Sequence, residues 1–67
     1  MSVSTTYTVT GMTCQHCVNA VTSEIGEVPG VTGVEVDLDT GRVEVSGEGF
    51  TDEQVAAAVD EAGYQLA

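Results

Sequence analysis

The chain contains no tryptophan, no lysine and a single proline, and its aromatic residues, two Tyr and one Phe, fill only 4% of 67 positions. Without large rings to anchor an extensive core, the 42% apolar share rests mainly on Val and Ala. That suits one small, lightly packed domain spanning 1–67, with little margin of stability. Mean hydropathy is +0.12, too apolar for a disordered segment. Positive charge is almost missing: Arg42 stands alone against eleven Asp and Glu, for a formal net charge of -10 and a pI near 4.1. Phosphate backbones are bound by Lys and Arg that displace counterions, so no nucleic acid is expected as a partner, and anionic lipid repels the chain for the same reason. A protein partner is expected to offer a positive patch. No segment approaches the roughly 20 apolar residues of a membrane span, so membrane insertion is not expected. The opening MSVSTTYTVT lacks a positive run ahead of an apolar stretch, so a cytoplasmic location is expected.

Cysteine is scarce too. Cys14 and Cys17 are the only two, and a bridge between residues so close together closes almost no loop. In a reducing compartment such a pair is more often catalytic or metal-binding than a staple.

Val3, Thr5, Tyr7 and Val9 alternate with Ser4, Thr6, Thr8 and Thr10, which predicts a half-buried strand with the first set inward. From Gln15 the period becomes helical through Val18, Val21, Ile25 and Val28, and Gly26, Pro29 and Gly30 end a helix at about residue 27. Val34, Val36 and Leu38, then Val43 and Val45 across Asp39-Thr40-Gly41, predict an antiparallel hairpin with a polar outer face. Thr51 can cap a second helix with Gln54 at its third position and with Phe50 and Val55 as a hydrophobic staple. Val55, Val59 and Ala62 line its inner side, Gly63 ends it, and Tyr64 to Ala67 make a last short strand. The order βαββαβ is an α+β, ferredoxin-like open-faced sandwich, a four-stranded antiparallel sheet covered by two helices. Tracing directions brings the Gly11 to Cys14 loop, the Asp39 to Arg42 turn and the Gly63-Tyr64 junction to one end, so Tyr64 and Arg42 are the groups expected to influence the cysteines.

The i, i+3 spacing at a helix start lets both sulfurs meet one ion, and the unpaired N–H groups there favour thiolate. A closed zinc site wants four ligands, and two Cys with the lone His16 fall short. A soft monovalent ion, Cu(I) above all, is satisfied by two or three thiolates, with Ag(I) or Zn(II) as alternatives. An undercoordinated ion on an exposed loop leaves room for an incoming thiolate, so it can be passed on by ligand exchange.

The run Gly11-Met12-Thr13-Cys14-Gln15-His16-Cys17 resembles the heavy-metal-associated domain, whose signature is GMTCxxC, and the stretches GVTGVEVDLDTGRVEV and AGY are similar to that family as well. Gln-His between the cysteines and the Tyr after Ala62-Gly63 look most like its CopZ-type bacterial copper chaperones. The resemblance implies Cys14 and Cys17 as metal ligands, His16 and Tyr64 flanking the site and Met12 packed beneath the loop. It also implies no catalytic residues, delivery of Cu(I) to the metal-binding domain of a copper-exporting P-type ATPase, and a copper-responsive repressor as a further partner. Animal members place a Lys near the position of Tyr64, so thiolate charge is balanced less here. His16 is expected to be exposed and non-ligating, and Met12 to be a core plug. The apo chain is expected to be a monomer, with a copper-bridged homodimer as its loaded form.

Two other functions fit a CxxC at a helix start. One is a thiol-disulfide oxidoreductase, although that fold is larger and usually keeps a cis-Pro beside its cysteines, whereas Pro29 follows the first helix. The other is a metal-binding domain excised from a heavy-metal transporter, against which Met1 and the absence of a linker favour a free-standing protein.

Overall fold

The computed structural model describes residues 3–67; Met1, on which the free-standing reading leans, lies outside them. The elements are β1 (Val3–Thr10), α1 (Gln15–Gly26), β2 (Val31–Asp37), β3 (Arg42–Gly47), α2 (Asp52–Glu61) and β4 (Gln65–Leu66), the expected βαββαβ order. The strands form one antiparallel sheet in the order β2-β3-β1-β4. Tyr7 lies opposite Val43 and Thr5 opposite Val45, and across β3 these same valines face Val36 and Val34. Apolar residues thus share one face of the sheet. Val21 and Ile25 of α1 and Val55 and Val59 of α2 close over Val9, Val43 and Val45, all buried, and no ring larger than the half-buried Tyr7, Phe50 and Tyr64 borders this core.

Helix α2 starts as its sequence dictates. The Thr51 hydroxyl accepts from the Gln54 backbone N–H at 3.1 Å, and the Gln54 side chain accepts from the Thr51 N–H at 2.9 Å, so two otherwise unpaired donors are satisfied reciprocally. Its inner face is Val55, Ala58 and Val59; Ala62 is only half-buried, because it caps the helix instead of belonging to it.

Three local expectations change. Strand β2 begins at Val31, because a bulge between Val31 and Gly33 lets the chain pair with β3 immediately after Gly30, and Leu38 falls in the turn. Val3 is 56% exposed despite its inward phase, since it pairs with Gly47 at the end of the ladder, where core packing has run out. The last strand begins at Gln65, because the Tyr64 N–H is already used to close α2.

Candidate metal-binding site

Strand β1 hands over to α1 through a loop that only particular residues can form. Gly11 has φ +91°, a region that disfavours side chains, and a Cβ there would lie 3.4 Å from the Tyr64 ring. The left-handed bend is what calls for glycine, while the ring lies at no less than contact distance from where a side chain would begin. Cys14 follows in extended conformation as the N-cap of α1, and its carbonyl accepts from the N–H groups of Cys17 at 3.0 Å and Val18 at 3.3 Å. Its side chain does not cap the helix, so Sγ stays free for other chemistry. Cys17 lies in the first turn, which carries no acidic residue to oppose a thiolate. The two sulfurs are 3.5 Å apart, well beyond the roughly 2.05 Å of a disulfide, and both cysteines are free, Cys14 exposed and Cys17 half-buried.

The Cys17 thiol is pulled from its usual 9.0 down to about 6. The chief cause is the Thr13 backbone amide, followed by the Tyr64 hydroxyl and then the Cys14 backbone, all stabilising the thiolate against a smaller desolvation effect. Tyr64 answers in the opposite sense. Its hydroxyl is held protonated, above its usual range, by donating to Cys17, with burial and the charges of Cys17 and Cys14 adding to the effect.

Tyr64 arrives here through the end of α2. The Gly63 N–H bonds the Asp60 carbonyl at 2.9 Å and the Tyr64 N–H bonds the Val59 carbonyl at 3.0 Å, with Gly63 at φ +92°. This is the Schellman arrangement, which turns the chain sharply and sets the next side chain over the cysteine loop.

The structure brings Cys14, Cys17 and Tyr64 together and puts half-buried Met12 against the core under the loop. His16 is exposed at the second helical position, and among the described residues no set of three or more His, Cys, Asp or Glu is grouped to hold a metal. Arg42 does not join the site. Buried Val43 directs it to the other face of the sheet, where it lines a shallow depression with Thr6, Glu35, Asp37 and Glu44. Sequence reasoning quotes Thr13 only as part of a motif and misses its role: besides the amide, its hydroxyl lies 3.9 Å from the Cys17 sulfur. A backbone donor has no side-chain signature, although a residue just before an N-cap is a place to look for one. Chemically, the loop offers two adjacent soft donors at an open helix end, and the Cys17 thiol is lowered to about 6.

Residues 6–65 match the heavy-metal-associated domain. The chain belongs to that family. Within the heavy-metal-associated family, it is 42% identical over 64 residues to the copper chaperone CopZ of Bacillus subtilis strain 168, covering 92% of this chain and 93% of that one. It is also 42% identical over 65 residues to copper-transporting ATPase 2 of Rhizobium meliloti strain 1021, covering 96% of this chain but 8% of that protein. Among solved structures, a CopZ metallochaperone superposes with a TM-score of 0.93 at 31% identity, over 97% of this chain and 100% of the other.

Proposed function

We propose that this protein is a copper(I) carrier of the cytoplasm, in which Cys14 and Cys17 hold Cu(I) as cargo and surrender it by thiolate exchange. The observation that carries the reading is the pair of sulfurs 3.5 Å apart at an open helix end, with Cys17 titrating at about 6. The likeness over nearly full length to a protein named a copper chaperone supports it. A cuprous ion accepts two thiolates and tolerates a third, whereas zinc lacks two further ligands here. Ag(I), equally soft, is expected to bind in the same way.

Transfer follows from undercoordination. A receiver's cysteine loses its proton and joins the metal as a third sulfur on the side of exposed Cys14. One carrier sulfur then leaves and takes up a proton, and a second exchange completes the hand-over. The number of copper–sulfur bonds is kept at two or three throughout, so the ion never enters water. The receiver we favour is the metal-binding domain of a copper-exporting P-type ATPase, because similarity at 42% identity extends to part of a copper-transporting ATPase. Donor and receiver sites of one kind make the exchange nearly level in energy and therefore reversible. A copper-responsive repressor is a further recipient of the same chemistry. Two loaded chains can also share copper through Cys14, Cys17 and their counterparts, giving the bridged homodimer.

Carrier and oxidoreductase differ in one assay pair. Cu(I)-loaded protein is mixed anaerobically with an isolated ATPase metal-binding domain, the two are separated, and copper is counted; in parallel, the reduced protein is offered insulin. We expect copper to distribute between the two proteins faster than a chelator removes it from the carrier alone, and insulin to remain oxidised. Copper that moves only by way of solution, or catalytic insulin reduction, sinks the proposal.

A further inference from the structure

A second surface lies on the helical side of the molecule, away from the thiols. Between the exit of α1 and the middle of α2 runs an open groove of about 280 Å³, floored by Val28, Pro29, Ala57 and Ala58 and rimmed by Glu24, Glu27 and Glu61. Its volume falls short of the roughly 300–1,000 Å³ of small-molecule pockets but accommodates an aliphatic side chain from another protein. Ala57 is exposed, and its short side chain leaves the floor open. Glu24 stands seven positions beyond Cys17 on α1, about 10 Å along the axis at 1.5 Å per residue, so an occupant of the groove leaves the sulfurs accessible.

We infer that this groove docks a basic segment of a partner protein, in which an aliphatic side chain enters between the helices while flanking Lys or Arg meet Glu24, Glu27 and Glu61. Charge complementarity selects that occupant. A second copy brings a net charge of -10 against the same carboxylates, and an anionic bilayer is repelled likewise. The apolar floor adds what charge alone lacks, a preference for Leu or Ile over any polar residue between the cations. Such a segment on a flexible arm holds carrier and receiver together and raises the effective concentration of their thiols. Docking itself requires no metal and stands apart from the copper reading.

The test is an amide-shift NMR titration of the apo protein with a capped Leu-Lys peptide patterned at i, i+3 and i+4. Controls replace every Leu with Ser or every Lys with Glu. We expect saturable shifts centred on Val28, Ala57 and Ala58, weakened by salt and lost with either control. Ala57→Gln, which fills the floor, and the triple variant Glu24→Gln, Glu27→Gln, Glu61→Gln should each weaken binding at least tenfold. Shifts centred on the cysteine loop or the sheet, equal binding of the Ser peptide, self-association of the apo protein, or the same amides responding to phosphatidylserine vesicles would each overturn the inference. Cu(I) loading of wild type and variants is measured alongside: variants that lose docking but load copper normally support the groove, whereas a wild type that loads copper normally and fails to dock the peptide rejects the groove and leaves the carrier reading standing.

Discussion

The Cys17 thiol of the CxxC loop is drawn toward thiolate at neutral pH, because it receives the Thr13 amide and the Tyr64 hydroxyl. Tyr64→Phe removes one of these donors and keeps the ring over Gly11. Thiolate absorbance followed against pH should then place Cys17 above its present value of about 6 but still below a free thiol, since the Thr13 amide remains. An unchanged titration would remove Tyr64 from the account. For metal, Cys14→Ser or Cys17→Ser should lower Cu(I) affinity by orders of magnitude in a chelator competition, while His16→Ala changes it only modestly. Equal losses for all three would make His16 a ligand. Part of this arrangement was legible in the sequence: spacing put both sulfurs at one helix start, although Cys14 is the extended N-cap and only Cys17 lies on the helix, and tracing the strands put Tyr64 beside them. Arg42 was misplaced, because topology locates an element's end but only the phase against Val43 decides which face a side chain takes. Thr13 acts mainly through its backbone, which residue type does not reveal.

Some elements owe their limits to local devices and others to pairing with distant segments, and the two kinds differ in how visible they are. The α2 start was readable because a capping box is written in side chains. Thr51→Ala should cost about 1 kcal/mol, or about 4–8 °C in melting temperature for a domain of this size, and Cu(I) affinity should remain near wild type. The α2 end couples stability to chemistry. Gly63→Ala, at φ +92°, should destabilise by about 1–2 kcal/mol and also displace Tyr64, so denaturation and the Cys17 titration should shift together. A stability loss with no change in the titration would show that the helix end does not position the tyrosine. The β2 start was not readable, since its bulge depends on pairing with β3 instead of on alternation within the segment. The late start of β4 has a similar origin: competition between helix closure and strand pairing for one N–H group is decided by tertiary geometry.

As a whole, the molecule combines a light, valine-rich core with strong negative charge, and two linkages follow. Cys17 has a lower pKa folded, about 6, than its ordinary 9.0. Between those values the unfolded chain therefore binds more protons, so apo stability rises with pH across that window, and the contribution is lost as pH falls through 6. Urea midpoints at several pH values should show this rise in wild type and not in Cys17→Ser. Cu(I) bound only by the folded state should raise stability by about 4.1 kcal/mol at a free concentration a thousand times its dissociation constant. Size-exclusion chromatography with stepwise Cu(I) tests the bridged dimer, which an unchanged elution volume at excess metal would contradict.

The most direct measurement is an anaerobic competition between the reduced protein and a chromophoric Cu(I) chelator, run with wild type and with Cys14→Ser/Cys17→Ser. The account predicts that wild type strips one copper per chain from the chelator and the double variant strips none. Copper retained by the double variant would contradict it.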